Sequence, residues 1–423
     1  VMNTARLLAL PLLSVVLALT LLTLRWNVIL NDKFLIVREF LPFTTSSETT
    51  NLFPYHHVID QMEWIMEIAT NKTDFSSAKP PMIYYDRQFL YHSTTSDGCR
   101  YKCIFANTTQ HLSRGDAAVF SNQFPVEVGI SLKKRGVLVT FETGESPLHA
   151  PALLPEHLDQ VLIKIELVIT YMAKSPVPYT YSIFVRNRNP RYAFTAEEAA
   201  LMLSKNYVHL LPPHHRSRRK MIAWAVSNHH AKNNRAEYAS AIAKFIPVVD
   251  IYGRKGLKFP PNVETFHFLS LNYKFYLSFE NSNCRNYITE KVYFNAMQCV
   301  IFPLIVHSLH ILVCRHDMIP IVLGAFKADY ESALPPHSYI NVDDYKSVRE
   351  LTDYLLHLDG NDTAYAAYFA WKEHGKFPNR LDCRLCGFMH RLNAGSVRLP
   401  KQNAAELLDP RTLCFDRPLP PLK

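Results

Sequence analysis

The chain has 423 residues, 48% of them hydrophobic, so it can bury two cores of ordinary size and is not composed like a disordered protein. Its 46 lysines and arginines against 37 acidic residues give a net charge of +9, which suits a nucleotide diphosphate, an anionic membrane surface or nucleic acid. The basic clusters are short and carry no zinc-finger or single-strand-binding signature, so nucleic acid is not expected as a partner.

An uncharged apolar run occupies residues 7–24, between Arg6 and Arg25. It is just long enough to span a bilayer as a helix. The run is longer than a usual signal-peptide core and no clear cleavage site follows it, which favours a signal anchor over a cleaved signal peptide. We therefore expect a cytoplasmic tail at 1–6, a transmembrane helix at 7–24 and a stem at 25–74.

The chain carries three glycosylation sequons and two close cysteine pairs. The sequons begin at Asn71, Asn107 and Asn361. The pairs, which are disulfide candidates, are Cys99 with Cys103 and Cys383 with Cys386. Together with the anchor, these features indicate a secretory compartment in which disulfides persist. Zinc binding is the competing interpretation of the cysteine pairs, although their spacings differ.

From residue 80 onward, short apolar runs alternate with turns. They predict strands of a parallel sheet with helices between them, and the first runs are 82–85, 117–120 and 137–141. Residues 206–220 contain adjacent prolines and a basic cluster, and we interpret them as a linker. The predicted division is a first α/β domain at 75–205, a second at 206–392 and a tail at 393–423.

The second domain begins with an apolar strand at 220–226, which ends in the turn residues Ser227 and Asn228. Helical spacing follows over 235–245, and a further strand follows over 248–252. Strand, helix and strand in this order form the βαβ unit of a doubly wound sheet. Such sheets bind ligands at the carboxyl ends of their strands.

The segment 273–291 contains the most informative polar residues. Its first part alternates like a strand and ends at Glu280 and Asn281, and its second part opens a helix at Glu290 and Lys291. A strand that delivers polar residues to a helix start makes a partly cationic pocket. Phosphates bind well there, because helix N-termini present free amide groups.

Several motifs of this chain, in the same order, resemble the α1,3-fucosyltransferase family. The FENS run at 279–282 and the YITEK run at 287–291 are similar to the family's donor-binding signature. Glu-Ser-Pro at 145–147 resembles a segment of its N-terminal domain. Further similar stretches stand in family order at 224–228, 249–253, 320–324, 329–331, 339–344 and 368–372. The likeness covers about residues 80–390.

The resemblance implies an α/β fold in which two Rossmann-like domains face a cleft, the GT-B-type glycosyltransferase architecture, behind one transmembrane helix. It implies a single-pass type II protein of the Golgi membrane whose lumenal body transfers L-fucose from GDP-β-L-fucose to a GlcNAc hydroxyl of a glycoprotein glycan, with inversion. Residues 281–287 are similar to invertebrate members, so an N-glycan core is slightly preferred over a Lewis-type antenna as the acceptor. No cofactor is implied beyond the donor substrate GDP-fucose, and stimulation by a non-essential divalent cation stays open.

Inversion by one displacement requires a carboxylate that takes the acceptor's proton and cations that hold the departing diphosphate. The resemblance assigns the base to Glu145, the diphosphate contacts to Arg235 and Lys291, and the fucose contact to Glu290. The other donor-binding positions that it implies are Ser227, Asn228, Tyr252, Tyr276, Asn281 and Tyr287. It also implies that Cys99 with Cys103, and Cys383 with Cys386, fit the family's N-terminal and C-terminal disulfide patterns. No metal ligands are implied.

Residues 299–315 depart from the family pattern. Deleting them joins Gln298 to His316 and restores the pattern, so we interpret them as an aberrant insert, from a translated intron or a gene-model error. Such an apolar segment would have to be buried in the donor domain, whereas natural insertions usually lie in exposed loops. A second membrane span is a poor alternative, because the segment contains a proline and two histidines. The rival hypothesis is an inactive nucleotide- or glycan-binding homologue that the insert has disabled.

Overall fold

The computed structural model describes most of the chain from Leu52 onward. The described ranges are 52–65, 79–86, 99–121, 124–150, 165–228, 230–246, 249–297, 299–303, 310–314, 316–378, 383–401 and 403–422, with backbone alone at 299–303 and 310–314. The predicted anchor at 7–24 and the sequon at Asn71 lie outside these ranges. Within them, no helix has the length and apolar character that crossing a membrane requires.

The chain divides into two units, one formed by 1–50 with 187–189 and the other by 51–186 with 190–423. All elements described below belong to the second unit. Its first sheet has five parallel strands in the order β2-β1-β3-β4-β5. The strands are β1 (Met82–Tyr85), β2 (Ile104–Ala106), β3 (Ala117–Phe120), β4 (Leu138–Thr143) and β5 (Leu167–Thr170).

The strands β3, β4 and β5 are buried along their whole length, as expected for parallel strands that are covered on both faces. Their continuous apolar character is the signal that made them predictable. The strands predicted at 82–85 and 117–120 are found at those residues, and the strand predicted at 137–141 is β4.

The second sheet also has five parallel strands, in the order β13-β12-β9-β7-β8. Its strands are β7 (Lys220–Ala225), β8 (Val249–Tyr252), β9 (Tyr273–Phe279), β12 (Ile319–Leu323) and β13 (Ile340–Asn341). The predicted α/β class is therefore confirmed. The strand β9, which begins the donor-type motif, occupies the centre of this sheet and is almost wholly buried.

Helices and short elements precede, separate and follow the strands of the two sheets. The α-helices are α1 (His56–Ile65), α2 (Val126–Lys134), α3 (Ala196–Leu203), α4 (Arg235–Ile242), α5 (Thr265–Asn272), α6 (Lys327–Ala333), α7 (Val348–Asp359), α8 (Asp362–Ala367), α9 (Arg384–Asn393), α10 (Ala405–Leu408) and α11 (Pro410–Leu413). A π-helix covers Lys291–Ala296, and 3-10 turns cover Val208–Leu210, His215–Ser217, Val342–Asp344 and Ala370–Glu373. The strands β6 (Val185–Arg186) and β14 (Gly375–Lys376) form a small antiparallel pair.

Residues 206–220, which we interpreted as a linker, are attached to the elements around the second sheet through Arg218. The Arg218 side chain is buried, and its guanidinium donates hydrogen bonds to the carbonyls of Ser270 and Asp317, both at 2.8 Å, and to the Tyr365 hydroxyl at 3.0 Å. A guanidinium has five donors, so it can hold several chain segments together at once. This basic residue therefore fastens the segment to the second sheet's helices instead of being solvated.

Two helices pack across the predicted boundaries of the stem and of the C-terminal domain. The helix α1 lies within the predicted stem, yet Val58, Ile59 and Ile65 are buried. The helix α9, at the end of the predicted C-terminal domain, shares a hydrophobic core with β3, β4 and β5 of the first sheet. Arg384 of α9 also donates to the Gln61 side chain of α1 at 3.0 Å. The helices α1 and α9, which are far apart in the sequence, therefore pack together.

The four candidate cysteines form disulfides, but these join the two pairs to each other. The bonds are Cys99–Cys383 and Cys103–Cys386, a connectivity that the sequence had left open. The physical reason is that α9 packs beside the segment that holds Cys99 and Cys103. His390 lies close to Cys103 and Cys386, but a disulfide sulfur is not the thiolate that zinc requires. A third bond, Cys284–Cys414, was not predicted.

The predicted insert forms a hairpin of its own. The strand β10 (Cys299–Pro303) pairs antiparallel with β11 (His310–Cys314) in a separate two-stranded sheet. The strands β10 and β11 are not part of the second sheet, in which β12 pairs directly with β9. On either side of the hairpin, the Met318 amide donates to the Ala296 carbonyl at 3.0 Å. The described strands 299–303 and 310–314 therefore pair with each other and add no strand to the second sheet.

Candidate functional site

Two loops meet where the two sheets end. The strand β4 leads into residues 144–149, which we call the Glu145 loop, and β9 leads into residues 280–287, the Tyr287 loop. Both leave the carboxyl ends of parallel strands, where open α/β sheets bind ligands. Three side-chain contacts join the loops: Tyr287 Oη to Glu145 Oε2 at 2.9 Å, Ser146 Oγ to Ser282 Oγ at 2.7 Å and His149 Nε2 to the Asn281 carbonyl at 3.3 Å.

Hydrogen bonds hold the start of the Glu145 loop, while the Glu145 carboxylate is exposed. The Tyr181 hydroxyl donates to the Gly144 carbonyl at 2.8 Å, and the Glu145 amide donates to Thr143 Oγ1 at 3.1 Å. Glycine is required at 144, because a Cβ there would lie 2.5 Å from the ring of Tyr179. The Glu145 side chain is exposed and accepts the hydrogen bond from Tyr287. A carboxylate in this position is both oriented and open to an incoming substrate.

Tyr287 is fully buried, and its ring centroid lies 5.0 Å from that of Tyr171. Burial, followed by the nearby Glu145 carboxylate, raises the pKa of the Tyr287 phenol well above its usual value. The hydroxyl therefore stays protonated at neutral pH and acts as a donor to Glu145. The structure thus brings two of the predicted site residues, one from each sheet, into direct contact.

Glu280 is a buried carboxylate at the start of the Tyr287 loop. It accepts hydrogen bonds from the Thr289 amide at 2.8 Å and the Thr289 hydroxyl at 2.9 Å, and it forms an ion pair with Lys291 at 2.9 Å. Burial raises the pKa of Glu280, while Lys291 opposes that effect. Gly324 allows this arrangement, since a Cβ there would lie 2.6 Å from the Glu280 Cβ.

Glu280 was not among the site residues predicted from the sequence. An acidic residue directly after a continuous apolar strand, within the same motif as Lys291, is the signal that could have identified it. Such a carboxylate is rarely buried without a partner. Here it fixes Thr289 and Lys291, so it positions the residues to which the resemblance gives roles.

Lys291 and Glu290 form a pair at the start of the π-helix. The Lys291 ammonium contacts Thr289 Oγ1 at 2.8 Å, Glu280 at 2.9 Å and Glu290 at 3.0 Å. Burial disfavours its charge, but the two carboxylates outweigh burial and raise the pKa of Lys291. Burial likewise opposes the Glu290 charge, yet Lys291 and hydrogen bonds lower the pKa of Glu290. Both groups are therefore ionised at neutral pH.

Arg235 joins the end of β9 to the turn after β7. Its buried guanidinium donates to the Phe279 carbonyl at 2.9 Å and to the Asn228 carbonyl at 2.6 Å. Burial lowers the pKa of this guanidinium, and Glu280 opposes that effect. Ser227 is exposed at the same turn. These hydrogen bonds give Arg235 a positioning role in addition to the predicted diphosphate contact.

The remaining predicted donor residues differ in their surroundings. Asn281 is half-buried in the Tyr287 loop, and its carbonyl accepts from the Lys232 amide at 2.9 Å. Tyr252 shares a hydrogen bond of 2.8 Å with the Tyr273 hydroxyl. Tyr276 is fully buried in β9, and burial raises the pKa of its phenol to about 12. The hydroxyls of Tyr252 and Tyr276 thus have partners in the core of the second sheet, whereas Asn281 joins the two loops.

Two of the three predicted glycosylation residues are described. Asn107 is exposed directly after β2. Asn361 is the N-cap of α8, and its side chain accepts a hydrogen bond from the Ala364 amide at 3.0 Å. Because the capping atom is the side-chain oxygen, the amide nitrogen that carries a glycan is not used by this cap.

The fold and the site place this chain among α/β proteins built on parallel sheets. Such proteins bind ligands at the carboxyl ends of their strands, where the Glu145 and Tyr287 loops lie. Residues 215–311 and 310–399 match the model of Glycosyltransferase family 10 (fucosyltransferase) C-term. This part of the chain therefore matches a family 10 fucosyltransferase domain, and the resemblance found in the sequence is confirmed. The two matched segments meet within 299–315, the segment that interrupts the family pattern.

The curated relatives are similar over part of the chain. Glycoprotein 3-alpha-L-fucosyltransferase A of Drosophila melanogaster is 42% identical over 187 residues, which are 43% of this chain and 33% of the relative. 4-galactosyl-N-acetylglucosaminide 3-alpha-L-fucosyltransferase FUT6 of Homo sapiens is 36% identical over 156 residues, 36% of this chain and 37% of the relative. The chain thus spans about a third of the length of these relatives.

A solved structure described as "Crystal Structure of alpha1,3-Fucosyltransferase" is similar with 17% identity and a TM-score of 0.46, over 81% of this chain and 99% of that chain. A second, described as "Crystal Structure of alpha1,3-Fucosyltransferase with GDP-fucose", has 17% identity and a TM-score of 0.44, over 82% of this chain and 99% of that chain. Likenesses at this level carry no conclusion about the site.

Proposed function

We propose that this chain is an inverting α1,3-fucosyltransferase that transfers L-fucose from GDP-β-L-fucose to a GlcNAc hydroxyl of a glycoprotein glycan. The observation that carries the proposal is the hydrogen bond of 2.9 Å between Tyr287 and Glu145. It places an exposed carboxylate beside the motif that is similar to the family's donor-binding signature. The family 10 domain at 215–399 supports the same activity.

In the proposed reaction, the acceptor hydroxyl oxygen attacks the anomeric carbon of fucose while the bond from that carbon to the diphosphate oxygen breaks. The hydroxyl proton passes to the Glu145 carboxylate, and GDP leaves with the bonding electrons. Tyr287 holds the Glu145 carboxylate in one orientation, which general-base catalysis requires. A single displacement of this kind converts the β-linked donor into an α-linked product.

Lys291 is the residue best placed to offset the negative charge that develops on the leaving diphosphate. The Lys291 side chain is 18% exposed, and its two carboxylate partners differ in burial. Glu280 is fully buried, whereas the Glu290 side chain is 28% exposed. A diphosphate oxygen would therefore replace Glu290, leaving Glu280 in place. Glu290 would then be free to accept hydrogen bonds from fucose hydroxyls, as the resemblance implies.

The proposal extends to the acceptor and the compartment. An N-glycan core is preferred over a Lewis-type antenna, and the support is the greater identity to a relative named glycoprotein 3-alpha-L-fucosyltransferase A, 42% against 36% for FUT6. We place the protein in the Golgi membrane as a type II protein with a GT-B-type lumenal body. The apolar run at 7–24 and the disulfides of the described residues support this placement.

An inactive nucleotide- or glycan-binding homologue is the second candidate. The observation that favours it is the strand pair of Cys299–Pro303 with His310–Cys314, which lies in the sequence between the π-helix that begins at Lys291 and β12. Lys291 is the first residue of that helix, so any shift of the helix would move Lys291 away from its ion pair with Glu280.

Transfer of labelled fucose distinguishes the two candidates. The full chain and a form without residues 299–315 are assayed on N-glycan-core and lactosamine acceptors, with GDP binding measured in parallel. We expect transfer by at least the shortened form, with the core acceptor preferred. Two folded proteins that bind GDP but transfer no fucose would favour the inactive homologue, and a preference for lactosamine would reverse the acceptor assignment.

A further inference from the structure

The segment 403–417 connects the first sheet to the Tyr287 loop, although the sequence had given this tail no role. We call it the C-terminal strap. Leu407, Leu408 and Leu413 are buried in a hydrophobic cluster that contains β3 and β4 residues of the first sheet. The same cluster includes Tyr287. One end of the strap is therefore part of a core on which the proposed catalytic contact depends.

The strap pairs directly with the Tyr287 loop. Cys414 forms a disulfide with the fully buried Cys284, and the two residues form an antiparallel bridge. The bridge is flanked by two backbone hydrogen bonds, from the Arg285 amide to the Leu413 carbonyl at 2.8 Å and from the Phe415 amide to the Asn283 carbonyl at 2.9 Å. Residues 283–285 thus receive covalent and hydrogen-bond restraint from the strap.

The other end of the strap is attached to the second sheet. The ring of Phe415 stacks on that of Phe326, with centroids 3.9 Å apart. The Arg417 side chain is only 8% exposed, and it donates to Asp343 at 2.7 Å and to the Ala325 carbonyl at 2.9 Å. The strap therefore spans from the core of one sheet to the loops of the other, and the Tyr287 loop is held between its attachments.

The Tyr287 loop needs such restraint because it has no regular structure of its own between β9 and the π-helix. Asn286, directly before Tyr287, has a positive φ of 56°, a conformation that costs free energy for a residue other than glycine. Its amide and side chain donate to Asp329 at 2.8 and 2.9 Å. A loop strained at 286 holds its shape only when the surrounding contacts fix it.

We propose that the C-terminal strap is a positioning element for fucosyl transfer: it holds the Tyr287 hydroxyl against Glu145 through the Cys284–Cys414 bond and the stacking of Phe415. The inference rests on the proposed function for its effect on rate. Its structural part, the restraint of residues 283–287, is independent of that function. Cys284, Cys414 and Phe415 touch no reacting atom in this account and act through Tyr287.

The rate effect is tested with a double-mutant cycle in the full chain. The C284A/C414A variant is compared with the parent chain, and again in a Tyr287→Phe background. We expect kcat to fall about 10-fold in the parent and less than about 2-fold in the Tyr287→Phe background, because residues that act through one another are not additive. The KM for GDP-fucose should change less than kcat. An equal fall in both backgrounds, or no fall, overturns the rate effect.

The C99A/C383A variant is the matched control, because it removes a disulfide that lies away from the Tyr287 loop. It should lower the unfolding temperature while its effect on kcat is small and independent of Tyr287. Phe415→Ala keeps all the disulfides and provides a second variant if C284A/C414A does not fold. It should also lower kcat in the parent and much less in the Tyr287→Phe background.

Amide hydrogen exchange tests the restraint without relying on activity. Exchange at residues 283–287 should rise in C284A/C414A and stay unchanged in C99A/C383A, since local opening sets exchange rates. If only the form without residues 299–315 transfers fucose, the cycle is measured in that form. If neither form transfers fucose, the proposed function fails, and the exchange result alone decides whether the strap holds the loop. Unchanged exchange at 283–287 in C284A/C414A contradicts the strap in either case.

Discussion

The Tyr287 loop and the Glu145 loop meet at one contact but are held very differently. The Tyr287 loop begins at a fully buried carboxylate, ends at a fully buried phenol and is held by Asp329 and by the disulfide to Cys414. The Glu145 loop is held at its first residue by the hydrogen bond from Tyr181, and the Glu145 carboxylate is exposed.

The difference corresponds to two demands of the proposed reaction. Leaving-group stabilisation requires charges that are already in place, and this favours a buried and restrained loop. Proton transfer requires a carboxylate that an acceptor can reach, and this favours an exposed residue with one orienting hydrogen bond.

Lys291→Ala removes the positive charge that follows the Tyr287 loop. Among the substitutions on this side of the contact and between the loops, it should have the largest effect. We expect kcat/KM to fall about 100-fold or more, on the order of 3 kcal/mol, because the developing charge on GDP loses its partner. Steady-state transfer of labelled fucose measures this. Lys327→Ala, which removes an exposed lysine from α6, is the control and should leave kcat/KM nearly unchanged. Full activity in Lys291→Ala would remove this role.

Tyr287→Phe removes only the hydrogen bond between the two loops. We expect kcat to fall about 10-fold with the fold intact, because Glu145 loses its orienting donor. Tyr354→Phe is a matched control, since it removes the hydroxyl that pairs with Tyr368 at 2.8 Å in the helices of the second sheet. If both phenylalanine variants behave alike, the contact between the loops has no special part in transfer.

Ser282→Ala tests the second contact between the loops and should have the smallest effect. It leaves the buried Ser146 hydroxyl without its partner at 2.7 Å, so the free energy of unfolding should fall by about 1 kcal/mol. Replacing both serines by alanine should cost less than the sum of the single changes, because no buried hydroxyl then lacks a partner. Denaturant unfolding measures all three variants, and strict additivity would argue against the contact.

The sequence predicted the sheets well because their strands are continuous apolar runs. The motifs that contain Glu145 and Tyr287 were identified by their resemblance to the α1,3-fucosyltransferase family, and in the structure each follows such a strand. Contacts between distant segments were not accessible in the same way. Nothing in the local pattern shows that Arg218 is buried among carbonyls, or that Cys99 pairs with Cys383 and not with Cys103.

The C-terminal tail, residues 393–423, is the longest segment whose packing was not predicted from the sequence. Its short apolar runs have no periodicity that predicts a fold, and their burial depends on a core built from residues almost 300 positions earlier. The buried role of Glu280 was missed for a related reason, because its partner Thr289 lies across a turn that the motif alone does not define.

The central claim is that Glu145 acts as the base while the restrained loop binds the donor. The most direct measurement is GDP binding and fucose transfer by Glu145→Gln, side by side with the parent chain. This account predicts unchanged GDP affinity with transfer reduced by about 1,000-fold or more, since the amide cannot take the acceptor's proton. Transfer at the parent rate would contradict the assignment of Glu145 as the base.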